Sequence, residues 1–173
     1  MTIKRRGTTS ALKRLAYAQL LILGFSLTHA IQAAPASSLM SGFNPLIGGQ
    51  WVLGSTYQTY TWGPDQQSVF GESFVIHNGE KSLGAKGLWY FDPASKTIKG
   101  VFVATNMPFT VLHYRSHFEA GMLISQVRSL DNLGTENHYQ ETIRVTQPDA
   151  YLWELTEAEP AGNTMKAEFH RAP

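Results

Sequence analysis

The chain of 173 residues contains no cysteine. This absence excludes disulfide bonds and attachment of a lipid through an N-terminal cysteine, and it removes the thiolate from the possible nucleophiles. Charged residues are also few, at 16% of the chain. Stability must therefore come from burial of apolar surface, for which the aromatic and aliphatic residues provide enough material to form one core.

Sequence signatures of several enzyme classes are missing as well. No glycine-x-serine-x-glycine elbow is present, and no Walker or dinucleotide-binding glycine motif follows a strand-like segment. Nucleophilic catalysis therefore has little support, and the catalytic residues stay unknown. The sequence predicts neither a metal site nor a cofactor.

Acidic side chains are absent from residues 1–36, which hold five of the 14 basic ones. Residues 37–173 carry the other 9 basic side chains and all 13 acidic ones, a formal net charge of −4. A domain of that sign has no cationic surface for a polyanion, so nucleic-acid binding is excluded as a function class.

The first 36 residues have the order of regions typical of a secretory signal peptide. Basic pairs at 5–6 and 13–14 precede an apolar run at 15–25, and small residues follow at 28–36. The run has about 11 residues, whereas a helix that spans a bilayer needs about 20. We therefore expect export to the periplasm or secretion, with no permanent membrane anchor after cleavage.

Two small residues, Ala33 and Ala36, suit the last position before a cleavage site. The predicted organisation is a signal peptide and cleavage region, 1–36, followed by one domain, 37–173. An uncleaved anchor and export by the twin-arginine route, suggested by Arg5 and Arg6, remain alternatives.

From Trp51 onward, glycine, proline, asparagine or aspartate interrupts the chain about every 8–12 residues, and the intervening segments alternate apolar with polar side chains. The pattern predicts an all-β fold with short connections. The predicted strands are 50–60, 67–77, 82–92, 97–105, 109–118, 121–130, 137–146, 150–157 and 164–171.

A meander of this length removes its sheet edges when it closes on itself. We therefore expect a single antiparallel up-and-down β-barrel of about 8–10 strands, whose interior is either filled or able to hold one small ligand. Residues 37–49 contain Phe43, Pro45 and Leu46 and predict a short turn that closes one end.

Scattered strand and turn residues resemble those of the small bacterial lipocalin-like, calycin-type barrels of the domain-of-unknown-function type. Leu46, Gly48 and Trp51 open the first strand, and the segments 71–74, 87–93 and 151–155 continue the similarity, with Lys96 and Ile98 beside the second of these. These residues include no catalytic signature. The resemblance implies a calycin-type barrel, a fold that can hold a central cavity.

Haem binding is an alternative suggested by a second resemblance. Phe74, His77 and Gly79 are spaced as in barrels of the nitrobindin type, which also open with glycine-x-tryptophan. The glycine-rich continuation after Trp51 is absent, however, and no histidine matches the axial ligand of that family.

Period-two alternation assigns residues to strand faces. Phe70, Glu72, Phe74 and Ile76 share one face, so that Glu72 is a carboxylate among apolar neighbours. If this face points inward, the site must supply a cation, a donor or a proton, because an unpaired buried carboxylate is costly.

The same alternation groups Tyr139, Glu141 and Ile143 on one strand and Trp153 and Leu155 on the next. Inward-facing aromatics with two acids would form a mostly apolar pocket. The alternative is a filled core whose acids pair with arginine or with backbone donors. The predicted ligand-binding residues are Trp51, Glu72, Trp89, Tyr139, Glu141 and Trp153.

His113 and His117 have the i, i+4 spacing of a helical zinc site. Their segment alternates as a strand, on which four residues span about 13 Å, too far for two ligands of one ion. They share a face with Arg115, which is either a solvated outer surface or a polar stripe that meets an anion.

The leading functional hypothesis is an exported barrel that binds a small apolar or amphipathic molecule in its interior. One alternative is a barrel enzyme, an isomerase, cyclase or hydrolase that uses an interior carboxylate. Others are an envelope interaction protein with a filled core and a transmembrane outer-membrane barrel.

Overall fold

Alternating side chains build ten antiparallel strands that close into one up-and-down barrel, with each strand paired to its neighbours in the chain. The computed structural model describes residues 39–105, 107–158 and 162–173, so the expected leader and its cleavage sites lie outside the described residues. The strands are β1 (Trp51–Leu53), β2 (Thr56–Trp62), β3 (Ser68–His77), β4 (Glu80–Asp92), β5 (Thr97–Ala104), β6 (Val111–Glu119), β7 (Met122–Leu130), β8 (Glu136–Gln147), β9 (Ala150–Glu157) and β10 (Thr164–Arg171). The predicted fold class is confirmed.

The first predicted strand, 50–60, is two strands in the structure. Gly54 has a φ of +58° and reverses the chain, so that β1 pairs back on β2. On its other side β1 pairs with β10, where Trp51 lies opposite Arg171, and this pairing closes the barrel. The positive φ explains the break, since glycine adopts this conformation without a steric penalty.

A 3₁₀ helix at Ser41–Leu46, here called the closing turn, covers one end of the barrel as the sequence predicts. Phe43 and Leu46 are buried within it, and the Phe43 ring meets Phe118 edge-on with a centroid distance of 5.1 Å. The indole Nε1 of Trp51 donates to the Leu46 carbonyl at 2.9 Å. The closing turn is therefore held by both apolar packing and a buried hydrogen bond.

Arg171 of β10 ties the segment before β1 to the rest of the barrel. Its guanidinium lies 4.2 Å from the centroid of the Trp51 ring. It also donates hydrogen bonds to the carbonyls of Gly48 and, at 2.9 Å, Pro45. These partners lie more than 120 residues away in the chain, so β10 and the segment before β1 stabilise each other.

A β-bulge in β4 changes which side chains share its inner face. Ser73 of β3 pairs with Ala85, but the next residue, Phe74, pairs with Leu83, so Gly84 is the extra residue. Strict alternation would place Leu83 on the inner face with Trp89, but the bulge turns Leu83 outward and its side chain is exposed. A bulge shifts alternation by one residue and leaves no trace in a period-two pattern.

No helix among the described residues has the length and the apolar character needed to cross a membrane.

Candidate ligand-binding cavity

A cavity of about 360 Å³ lies inside the barrel. The closing turn lies at the end of the barrel where β4 finishes and β5 begins, because Ser41 and Gly42 line a depression with Phe91 and Thr97. The cavity reaches toward the opposite end, to Met107 in the β5–β6 connection and Met165 near the start of β10. These methionines are 41% and 51% exposed. The mouth of the cavity is therefore at this end, between two flexible apolar side chains.

Aromatic rings form one wall of the cavity. The Trp89 and Phe102 rings have a centroid distance of 4.4 Å, and the Tyr114 ring lies 5.7 Å from Trp89 and 5.4 Å from Phe102. Gly71 of β3 makes room for them, because a Cβ there would lie 2.9 Å from the Phe102 ring and 3.0 Å from the Trp89 ring. The wall depends on this small residue as much as on the large ones.

Glu141 of β8 supplies a carboxyl group to this apolar interior, and only 6% of the residue is exposed. Its Oε1 accepts a hydrogen bond from Trp153 Nε1 of the adjacent β9 at 2.8 Å. Its Oε2 has no hydrogen-bond partner among the described residues. Burial raises the pKa of Glu141 from 4.5 to about 7, although the bond from Trp153 opposes the rise.

Three neighbouring polar groups satisfy one another beside the carboxyl. The Tyr60 hydroxyl donates to Gln58 Oε1 at 2.6 Å, the Tyr151 hydroxyl donates to the same oxygen, and the two hydroxyl oxygens are 3.2 Å apart. Burial is the main cause that raises the pKa of Tyr60, Tyr151 and Tyr114 far above the ordinary tyrosine value. The hydroxyls of the three tyrosines therefore remain neutral at physiological pH.

Trp89, Glu141 and Trp153 are the three predicted site residues whose side chains the structure brings together around the cavity. Trp51 is instead fully buried near the closing turn, 4.8 Å from the Tyr151 ring. Tyr139 packs against the core and lines a separate depression. Whether any of these residues binds a ligand stays a prediction.

Glu72 lies on the face of β3 that it shares with Phe70 and Ile76, but this face is on the outside of the barrel and not on the inside. It forms ion pairs with Lys86 at 2.6 Å and Lys81 at 3.3 Å, whose side chains are 58% and 51% exposed. The hydrogen bond from Lys86 is the main cause that lowers the pKa of Glu72. Glu72 borders the cavity by its position on β3, where Gly71 and Ser73 also line it, but its charge is neutralised near the solvent.

The apolar neighbours of Glu72 are outside the barrel for a local reason. Phe70 and Ile76 are exposed, and Phe74 is buried because its ring stacks on Tyr57, with a centroid distance of 5.3 Å, and lies beneath the Lys81 ammonium. Alternation identifies two faces of a strand and does not say which one is inside. The apolar side chains on this outer face made it resemble an inner one.

Sequence reasoning missed Gln58, Tyr60 and Tyr114, which also line the cavity. Tyr114 alternates with His113 and Arg115, so assigning the histidine face to the outside would have placed Tyr114 inside. Gln58 and Tyr60 belong to the segment that was expected to continue from Trp51 as one strand. The reversal at Gly54 breaks the alternation between them and Trp51.

No histidine is among the described residues that line the cavity. His117 is exposed, with its Nε2 3.6 Å from Glu119, and His113 lies in register with Arg128 of β7. His77, the histidine of the haem alternative, is exposed at the end of β3. Among the described residues, no group of three histidine, aspartate or glutamate side chains is arranged to hold a metal ion.

The fold and the cavity define a closed ten-stranded antiparallel β-barrel with an aromatic interior, an architecture compatible with lipocalin-like proteins. Among the described residues, Glu141 is its one buried carboxyl group. No protein-family model matches this chain. No curated protein matches it either.

Proposed function

We propose that the barrel binds a small amphipathic molecule in its cavity, with Glu141 as the polar group that orients it. The observation that carries the proposal is the unpartnered Oε2 of Glu141 in an otherwise aromatic and aliphatic lining. A buried polar atom without a partner costs about 1–3 kcal/mol, and a ligand donor would recover that loss. Cavities of about 300–1,000 Å³ with few polar groups are typical of small-molecule sites.

We also propose that the protein is lipocalin-like, of the calycin type, and that it acts in the periplasm or after secretion. The resemblance in 46–51 and 151–155 supports the calycin type. The order of basic, apolar and small residues in the predicted leader supports export. The proposed partner is the small molecule alone, with no cofactor and no nucleic acid.

An enzyme on the same barrel is the second candidate, favoured by one observation. The pKa of Glu141 is raised to about 7, where a carboxyl group exchanges protons readily with a bound substrate. The two candidates share the cavity and differ in the fate of the ligand, which would leave unchanged from a binding protein and chemically altered from an enzyme.

The proposal is tested first by native mass spectrometry of the protein purified from its own host. We expect a bound small molecule that is released on denaturation. Replacement of Ala85, which lines the cavity, by phenylalanine should abolish that binding by filling the space. The matched control is Leu83→Phe, two residues earlier on β4, where the side chain is exposed.

Binding that survives in a folded Ala85→Phe variant would place the ligand outside the cavity and contradict the proposal. Thermal denaturation of both variants establishes that each is folded. Incubation of the released molecule with fresh protein separates the two candidates, because an enzyme would convert it whereas a binding protein would return it intact.

A further inference from the structure

Electrostatics of the lining restrict the class of ligand. None of the described residues that line the cavity is a lysine, an arginine or a histidine. Glu72 and Glu141 are the ionisable carboxyl groups among them, and the charge of Glu72 is taken up by Lys81 and Lys86 on the outer surface. An anionic head group would therefore find no counter-ion in the interior and would face Glu141.

The rings next to Glu141 favour a cation. Trp153 touches the carboxyl directly, and Trp89, Tyr114 and Phe102 complete the aromatic wall of the same cavity. The face of an aromatic ring carries negative potential, and tryptophan is the residue that attracts a cation most strongly. The rings thus offset part of the desolvation cost that a cation pays on entering an apolar site.

From these contacts we infer that the cavity selects amphipathic amines, with the ammonium group donating to Glu141 Oε2 and the apolar part lying against the aromatic wall. The inference rests on the proposed function and names its ligand class. A hydroxyl and an ammonium can each donate a charge-assisted hydrogen bond to a carboxylate, but only the ammonium adds the attraction of an opposite charge, which is strong in an apolar site. An ammonium is therefore a better partner for this carboxylate than a hydroxyl of the same size.

Amine binding should depend on the ionisation of Glu141. The groups that face it are Trp153 on β9, which bonds to it, and the hydroxyls of Tyr60, Tyr114 and Tyr151 on β2, β6 and β9, whose pKa values its charge raises further. All of these are neutral near pH 7. With the pKa of Glu141 at about 7 in the empty protein, amine affinity rises as the pH increases toward 8 and the carboxyl loses its proton.

The experiment compares three ligands of equal chain length, octylamine, octanol and octanoate, by calorimetric titration of the full-length protein at about pH 8, where an alkylamine is still protonated. We expect octylamine to bind at least about tenfold more tightly than octanol, because the attraction between ammonium and carboxylate in an apolar site exceeds the roughly 1.4 kcal/mol that a tenfold difference requires. Octanoate should bind more weakly than octanol. At about pH 5.5 the preference for octylamine over octanol should shrink.

Two variants complete the test. Glu141→Gln should remove the preference for octylamine and leave octanol affinity within about threefold, since glutamine keeps an acceptor for Trp153 and loses the charge. Glu154→Gln is the matched control and should keep the preference, because Glu154 lies outside the cavity lining and pairs with Lys166 at 3.0 Å. The comparison of ligands in the unmodified protein stands even if Glu141→Gln fails to fold.

Octanol and octylamine of equal affinity, or octanoate as the tightest ligand, would overturn the amine inference and leave the proposed binding function intact. Retention of the amine preference in folded Glu141→Gln would also overturn it. If none of the three ligands binds and no small molecule accompanies the protein from its host, the proposed function fails together with the inference.

Discussion

Glu141 is a buried acid whose protonation contributes to stability. Its pKa is raised by burial from 4.5 to about 7 in the folded protein, so the folded state holds a proton that the unfolded state has lost between these two values. Stability from this group is fully present below about pH 4.5 and is lost as the pH rises to about 7, by a total of about 3 kcal/mol.

The first prediction is that Glu141→Gln removes this component of the pH dependence. The free energy of unfolding of the unmodified protein, relative to the variant, should fall by about 3 kcal/mol between about pH 4.5 and 7 and then level off. Urea denaturation at a series of pH values measures the difference. Parallel profiles for the two proteins would show that Glu141 titrates normally in the folded state.

Glu72 is the contrasting acid, because its partners are exposed lysines. The hydrogen bond from Lys86 lowers its pKa, so the ion pairs stabilise the protein above the ordinary glutamate pKa, and this contribution is lost as the pH falls through the lowered value. Exposed pairs are worth about 0.2–1 kcal/mol.

The second prediction is that Glu72→Gln costs less than about 1 kcal/mol at neutral pH and nothing in strong acid. Ligand binding should be unchanged. Denaturation and titration of the same variant measure both quantities, and a large loss of affinity with little loss of stability would return Glu72 to the binding site.

At the scale of elements, the closing turn is a short segment whose buried side chains cover one open end of the barrel. Phe43 is fully buried, and its ring centroid is 5.6 Å from that of Trp89, so the turn also supports the aromatic wall of the cavity. Gly42 is required beside it, because a Cβ at that position would lie 2.6 Å from the Phe118 ring.

The third prediction is that Phe43→Ala lowers the free energy of unfolding by about 3–5 kcal/mol, through lost transfer energy and the cavity left behind. Leu39→Ala, at an exposed position just before the turn, should change it by less than about 0.5 kcal/mol. Urea denaturation compares the two. Equal, small effects would mean that the turn is not packed in solution.

At the scale of the whole molecule, closure of the barrel is shown by the structure, whereas export is predicted from the sequence alone. Pairing of β1 with β10 removes the last open edge of the sheet, which protects the protein from edge-to-edge association. The leader is predicted from the sequence of residues 1–36, and this prediction concerns the compartment in which the barrel acts.

The fourth prediction is that the protein isolated from cells begins after Ala33 or Ala36 and is found in an exported fraction. The small residues at these positions fit a signal peptidase site. Intact-mass measurement and N-terminal sequencing identify the first residue. A protein that retains residues 1–33 would contradict processing at either site.

The sequence by itself determined the antiparallel up-and-down order and all the strands except the division of 50–60 into β1 and β2, because alternation and turn residues are local properties of the chain. It also placed Tyr139, Glu141 and Ile143 on one face of β8, and Trp153 and Leu155 on one face of β9. It could not place the Phe70, Glu72 and Phe74 face, since period two separates two faces without orienting either.

Only the tertiary structure decided which groups meet. Trp153 lies in register with Ile143 and reaches Glu141 diagonally across the β8–β9 pair, a contact that depends on the strand register. The reversal at Gly54 and the bulge at Gly84 each changed which side chains face inward. The cavity is therefore a product of register, bulge and closure, which arise from pairing between distant segments and are not encoded in any single one.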